Sequence, residues 1–160
     1  MIDACGTDGG GPEACQDPRI TAFGLLLEAH ASVLAAVSRD LETDSGLPVS
    51  WFEVLVRVSR SPDQRLRMSE LATQVLLSTS GLTRLVDRLD DAGLIRREAC
   101  PSDRRGAFAV LTEEGRQTLE KAMPAHLESL GRHLVDPLGP EGMASFEGLM
   151  RTLRDSAARS

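Results

Sequence analysis

The spacing of apolar residues along the chain predicts a mainly helical protein with one small β-hairpin. From Arg19 to about Thr43 they recur at alternating steps of three and four, an a/d seam sustained for three heptads. The seam consists of Ile20, Phe23, Leu27, His30, Leu34, Val37 and Leu41. A seam of this length favours packing against another long helix, in the same chain or in a partner.

Three further helices are predicted after the Gly-Leu-Pro break at residues 46–48. They cover about residues 50–59, 69–75 and 78–92. Ser50 and Ser78 are placed to cap the first and the third with a hydroxyl, and Ser69 starts the second, with Glu70 in its first turn. The longest of the three buries an apolar stripe and ends at Gly93. That stripe consists of Leu82, Leu85, Val86 and Leu89.

The remainder of the chain predicts two strands and two more helices. The strands, at residues 95–100 and 107–111, flank an Arg-rich loop. Thr112 then caps a long helix, and a last helix runs from Pro140 to about Ala157. The last helix repeats apolar residues at steps of three and four, namely Met143, Phe146, Met150 and Leu153.

This order of elements is that of a helix-turn-helix with a wing, at about residues 50–112. Such a head lays one helix in the DNA major groove and a hairpin beside it. We expect the flanking helices, at about 19–43 and 113–157, to form a dimerisation region, because their seams carry more apolar surface than one head covers. The fold class is therefore mainly α, with residues 18–160 as one domain and residues 1–17, rich in Gly, Asp and Pro, as a disordered tail.

Charge is distributed unevenly along the 160 residues, whose formal net charge is −6. Residues 51–112 contain 10 Arg and 8 acidic residues, a net of +2, whereas the remainder carries −8. The predicted head is thus the part suited to approach phosphates, although the whole chain is acidic.

Candidate DNA contacts lie on the polar side of the helix at 78–92. These are Ser78, Thr79, Ser80, Thr83, Arg84 and Arg88. Small hydroxyl residues at the helix start allow close approach to phosphates and base edges. Arg84 can take guanine O6 and N7 with two parallel hydrogen bonds. An ordinary amphipathic helix with a solvated face is the alternative.

The loop between the two strands supplies a second candidate contact. Arg104 and Arg105 at a hairpin tip suit insertion into a narrow minor groove, where negative potential is concentrated. Asp103 is placed to accept hydrogen bonds from Arg105 and hold its guanidinium extended. A plain charged surface turn is the alternative.

Residues 47–112, and in layout the helices that follow, resemble the multiple-antibiotic-resistance regulator (MarR) family of bacterial winged-helix repressors. The resemblance rests on SELA at 69–72, TRLVDRLDDAGLI at 83–95, DRRG at 103–106, LTEEG at 111–115 and VDPLGPE at 135–141. It implies a homodimer on a pseudo-palindromic operator and a pocket for a phenolic or other aromatic acid. By position, Arg105 matches the family's wing arginine and Asp103 the acidic residue that orients it.

Three residues are candidates for such a ligand pocket. His30 interrupts the apolar seam, Trp51 stands at the start of the next helix, and Arg57 could pair with an anionic ligand. The alternative is that His30 is a satisfied interface residue and Trp51 belongs to the core.

Other functions are less well supported by the residues. A redox sensor could use Cys15 or Cys100, but the hydroperoxide-sensing branch of the family activates its cysteine with tyrosines, and this chain has no Tyr. No metal or cofactor motif and no enzyme motif is present, and a winged helix that contacts only proteins would not need an Arg-tipped wing. We expect a cytoplasmic protein, because the sequence indicates no signal peptide and no apolar run of membrane-spanning length.

Overall fold

The computed structural model describes residues 16–75, 78–100 and 103–157, without the side chains of Thr79 and residues 103–105. The chain divides into two units, residues 1–35 and 36–160, which are described separately. The first helix, α1 (Pro18–Ser45), crosses the boundary between them.

The described part of the first unit, residues 16–35, consists of two residues and the first 18 residues of α1. The predicted seam residues are exposed in the single chain: Ile20 at 53%, Phe23 at 61%, Leu27 at 52% and Leu34 at 44%. By length and composition alone, α1 is also long and apolar enough to cross a membrane. The expectation that no such run exists was wrong. Glu28 is the only Asp, Glu, Lys or Arg between Ile20 and Ser38, since Ala and Leu also occupy positions outside the seam.

The second unit contains the remaining helices and a small sheet. In chain order these are α2 (Val49–Ser59), a 3-10 turn (Pro62–Gln64), β1 (Arg65–Arg67), α3 (Met68–Gln74), α4 (Thr79–Asp91), β2 (Ile95–Cys100), β3 (Asp103–Leu111), α5 (Glu113–Leu130), a π-helical turn (Gly131–Val135) and α6 (Asp136–Ala157). Gly139, with φ 64° and ψ 175°, interrupts α6, so its regular part begins at Pro140, as the sequence predicted.

The core of the second unit is built from aliphatic side chains of its helices and sheet. Its largest fully buried side chains are Leu41, Val54, Leu55, Val58, Leu71, Leu82, Val86, Leu89 and Ile95. Leu82, Val86 and Leu89 were predicted to face inward, and they do. Trp51 is partly buried and packs against this core.

The sheet has three antiparallel strands in the order β1-β3-β2, where the sequence predicted two. Three residues of β1 pair with β3, Leu66 lying opposite Ala109. Beta3 also begins earlier than predicted, because Asp103 pairs with Cys100. The segment Asp103–Arg105 therefore starts a strand instead of forming a loop, and the connection shortens to residues 101–102.

Of the three predicted hydroxyl caps, those at Ser78 and Thr112 are confirmed and the one at Ser50 is wrong. The Gly81 amide donates to Ser78 Oγ at 3.1 Å, and the Gly115 amide donates to Thr112 Oγ1 at 2.9 Å. Alpha2 begins one residue before Ser50, behind Pro48, and α3 begins one residue before Ser69, in both cases without a side-chain cap. Pro48 occupies the N-cap position of α2, and its side chain has no oxygen that could accept a hydrogen bond from the amides of the first turn.

A polar cluster ties the second half of α1 to the end of α5. Asp40 Oδ2 accepts a hydrogen bond from Ser129 Oγ at 2.8 Å and pairs with His133 Nε2 at 2.9 Å. These contacts, with Ser129 as the larger effect, lower the pKa of Asp40 below its usual value. Ser129 is fully buried, so this bond satisfies its hydroxyl.

Helix α5 also packs against α2 through an aromatic contact. The rings of His126 and Phe52 lie 4.3 Å apart between centroids, with a tilt of 46°. Burial lowers the pKa of His126, which keeps its ring neutral near pH 7.

Candidate nucleic-acid interface

Helix α4 is held by its apolar side and presents a polar side to solvent. Its buried stripe packs into the core of the second unit, while Ser80, Arg84 and Arg88 are exposed. These three residues are spaced four apart, so they form one row along the helix. Within the described part of the chain, neither arginine of this row makes an ion pair with another side chain.

The start of α4 is open to an anionic group. Ser78 is exposed, and besides capping the helix its Oγ lies 3.3 Å from Ser80 Oγ. The unpaired amides of the first turn and the helix dipole favour a phosphate at this end. Thr79 begins the helix here, but its side chain lies outside what the structure describes.

Thr83 and Asp87 are less available than Arg84, which lies between them in the sequence. Thr83 is half-buried, and its carbonyl oxygen accepts a hydrogen bond from Arg97 Nη2 at 3.1 Å. The same nitrogen lies 2.8 Å from Asp87 Oδ1. Sequence reasoning missed this link, since Arg97 is on β2 and nothing in its spacing points to α4.

The three residues predicted to contact DNA from the wing are the first three residues of β3. The backbone of Asp103, Arg104 and Arg105 belongs to this strand, but their side chains lie outside the described residues. The predicted bond between Asp103 and Arg105 therefore stays a prediction.

The outward face of the sheet carries arginines that the sequence did not single out. The Arg65 guanidinium lies 4.0 Å from the centre of the Phe108 ring, and that of Arg67 lies 5.4 Å away. Arg96 on the neighbouring strand pairs with Glu98, which also lies 3.9 Å from Arg65. Arg65 and Arg67 reach this face because residues 65–67 form a strand beside β3, which the sequence did not predict.

The junction between the wing and α5 is tight. Thr112 Oγ1 donates to the carbonyl oxygen of Gly93 at 2.6 Å and lies 3.0 Å from that of Leu94. Gly115 packs so close that a Cβ atom built on it would lie 2.0 Å from the Leu94 oxygen. The LTEEG segment thus anchors the end of α4 and the base of the wing to α5.

The three predicted pocket residues are divided between the two units, and each is described within its own unit. His30 belongs to the first unit, and Trp51 and Arg57 belong to the second. The Arg57 guanidinium is held by Glu53, with Nη2 2.7 Å from Oε1. Their role stays a prediction.

An open groove of about 570 Å³ lies elsewhere in the second unit. It is lined by Ser59, Gln64, Arg116, Leu119, Glu120, Met123, Pro124 and Leu127, none of which was predicted to bind a ligand. As for redox sensing, Cys100 is buried, which limits access of an oxidant to its thiol, and Cys15 lies outside the described residues.

Known proteins share both the sequence and this architecture. The MarR family profile matches residues 45–106. The HTH-type transcriptional regulator MhqR of Bacillus subtilis is 32% identical over 104 residues, which cover 65% of this chain and 70% of MhqR. AbsC, a MarR family transcriptional regulator from Streptomyces coelicolor, is 36% identical with a TM-score of 0.79, over 91% of this chain and 97% of AbsC.

A second structural relative was crystallised with DNA. Sco3205, a MarR family transcriptional regulator from Streptomyces coelicolor, is 34% identical with a TM-score of 0.80, and the match covers 91% of each chain. Sequence identity above 30% and a shared winged fold agree with the motifs and the exposed row on α4. This chain belongs to the MarR family of transcriptional regulators, which bind DNA and are not enzymes.

Proposed function

We propose that the chain is a homodimeric repressor in the bacterial cytoplasm that binds a pseudo-palindromic operator and is released by a small aromatic or phenolic ligand. The observation that carries this proposal is the exposed row on α4, in a fold that one relative uses in complex with DNA. Each α4 enters the major groove of one half-site, and each wing approaches the minor groove beside it. As one domain, residues 18–160 supply both the head and the dimerisation region.

The case for a homodimer rests on apolar side chains that the single chain leaves exposed. Besides the seam of α1, Leu153 on α6 is 53% exposed, and Met143, Phe146 and Met150 are only partly buried. Burial against a second copy accounts for the apolar composition of α1 without a membrane. Two-fold symmetry then places the α4 helices of the two copies about 34 Å apart, which is one turn of DNA.

Dimerisation is tested by placing a carboxylate in the seam. Phe23→Glu should raise the dissociation constant about 100-fold or more, because each of the two copies loses a buried aromatic side chain worth roughly 1.5–3 kcal/mol. Light scattering measures the mass, which should be twice 17.2 kDa for the unsubstituted protein at micromolar concentration.

Ser32→Glu is the matched control for this substitution. Ser32 is nine residues after Phe23, half a turn around the helix at 100° per residue, and it is exposed. It should leave the dimer intact. A stable, folded monomer of the unsubstituted protein at micromolar concentration would contradict the proposal.

Release of DNA by a ligand is supported by Trp51, which is only partly buried, and by Arg57, a cation on the same helix, α2. If they line the effector site, hydroxybenzoic acids should quench the fluorescence of Trp51, the only Trp in the chain, and weaken DNA binding at the same concentrations. Arg57→Gln should weaken both effects tenfold or more, since it removes a charged hydrogen bond to the carboxylate.

A change in fluorescence without a change in DNA affinity would show that this site and the DNA interface are not coupled. If none of the hydroxybenzoic acids changes either the fluorescence or the DNA affinity, Trp51 is a core residue and does not line an effector site for these acids. In that case an oxidant titration of DNA binding, with Cys15→Ser and Cys100→Ser, tests the redox alternative.

A further inference from the structure

Helix α4, which we propose reads the bases, and strand β2 of the wing are joined by one arginine side chain. Arg97 is on β2 opposite Ala109, which is fully buried, so its side chain starts from the covered face of the sheet. Its Nη2 reaches both the Thr83 carbonyl oxygen, at 3.1 Å, and Asp87 Oδ1, at 2.8 Å. One guanidinium therefore holds the backbone and a side chain of α4 at the same time.

The two anchoring points on α4 bracket the residue proposed to read a base. Thr83 precedes Arg84 directly, and Asp87 follows it within one helical turn. A bidentate contact to guanine requires both hydrogen bonds to keep their geometry, and binding constellations tolerate errors of about 0.5 Å. A small rotation or slide of α4 relative to the sheet would therefore break this contact.

The link is poorly placed to be a major source of stability. The side chains of Arg97 and Asp87 are 32% and 53% exposed, and ion pairs this open to solvent contribute little to folding. The core packing of Leu82, Val86 and Leu89 already holds α4 on the unit. The hydrophobic contribution of that packing is non-directional, whereas the two hydrogen bonds from Arg97 add a directional constraint on α4.

We propose that Arg97 is a positioning residue, which sets α4 against β2 so that Arg84 meets its base while the wing meets the adjacent groove. The inference rests on the proposed reading role of Arg84. Arg97 acts through the helix, and its guanidinium is already occupied by α4.

The test compares Arg97→Ala with Arg96→Ala. Both remove one arginine from β2, so both change the net charge equally, but Arg96 lies on the outward face and pairs with Glu98. The probe is a DNA duplex enriched by the unsubstituted protein from a random pool, together with its single-base variants. Affinities are measured over a salt series, and thermal melting reports the folded state.

We expect Arg97→Ala to lower discrimination at the base position that responds to Arg84→Ala by about fivefold or more, the lower end of what a base contact supplies. Arg96→Ala should leave that discrimination unchanged. The slope of log affinity against log salt should be the same for both variants. Equal base preference in the two variants would overturn the proposal. A slope shallower by about one unit in Arg97→Ala alone would also overturn it, because Arg97 would then contact a phosphate itself.

Two further variants keep the test decisive if Arg97→Ala has a lower melting temperature than the unsubstituted protein. Arg97→Lys retains the charge but has one nitrogen instead of the planar fork, so its discrimination should lie between those of Arg97→Ala and the unsubstituted protein. Exchanging the charges, Arg97→Asp with Asp87→Arg, should restore much of the discrimination that Arg97→Asp alone loses. If the exchanged pair regains the melting temperature of the unsubstituted protein but not its base discrimination, Arg97 contributes to stability alone.

Arg84→Ala in the same assay separates the positioning role of Arg97 from the reading role of Arg84. If Arg84→Ala removes the base preference and Arg97→Ala does not, only the positioning role of Arg97 is contradicted. If Arg84→Ala leaves base preference intact, the reading role fails, and the positioning role that depends on it fails too.

Discussion

Arg84→Ala is expected to cost about 1–3 kcal/mol of binding free energy per half-site and to relax base preference at one operator position. Arg84 is exposed on the row of α4 that faces away from the core, and within the described residues it has no ion-pair partner to release first. The measurement is affinity for the selected duplex and for each of its single-base variants. A dimer binds two half-sites, so the loss on a full operator should be about twice that on one half.

Arg105→Ala should behave differently, because the minor groove offers mainly shape and charge. It should weaken binding to most sequences alike and make the slope of log affinity against log salt shallower by about one unit for each phosphate that Arg105 no longer neutralises. Asp103→Ala should reproduce part of this effect, since it frees the Arg105 guanidinium without removing it. Equal loss of base preference from Arg84→Ala and Arg105→Ala would show that the two roles were assigned wrongly.

Gly115→Ala is expected to destabilise the fold by about 3 kcal/mol or more, at the upper end of what overpacking costs. The added Cβ would lie 2.0 Å from the Leu94 carbonyl oxygen and 2.9 Å from Leu111 Cδ1. Because the nearer atom is backbone, a rotamer change cannot relieve the clash, and the turn after α4 would have to separate from α5. The free energy of unfolding in urea measures the effect.

Gly148→Ala is the control for Gly115→Ala. Gly148 is also helical, on α6, and a Cβ there would meet nothing within 4 Å. Alanine is a better helix former by roughly 0.5–1 kcal/mol, so this variant should be as stable as the unsubstituted protein or slightly more stable. A similar loss of stability in both variants would mean that the close approach of Gly115 to Leu94 is not what limits substitution.

Local chemistry explains why much of the head could be predicted from the sequence. The caps at Ser78 and Thr112 bond to amides three residues later, so the residues that form each cap are neighbours in the chain. The apolar period of Leu82, Val86 and Leu89 selects the buried side of α4, and it thereby selects the exposed row of Ser80, Arg84 and Arg88 as well. The family resemblance rests on motifs within the same elements.

The composition of α1 shows where a local pattern is ambiguous. The same run of Leu and Ala satisfies an a/d seam and the length and hydropathy of a membrane helix. Periodicity alone cannot separate the two, since both bury apolar side chains and differ only in what surrounds them. In the proposed homodimer that surrounding is a second copy of the chain.

By itself, the sequence determined the helices with strong periods, their hydroxyl caps and the polar row proposed to meet DNA, because each depends on residues within a few positions of one another. Only the tertiary structure decided the rest. Three residues at Arg65–Arg67 become a strand because β3 offers an edge more than 40 residues later. Arg97 is tied to Thr83 and Asp87, and Gly115 must be glycine because it lies against Leu94. Such contacts depend on the relative placement of whole elements, which the packing of the core sets and no local pattern records.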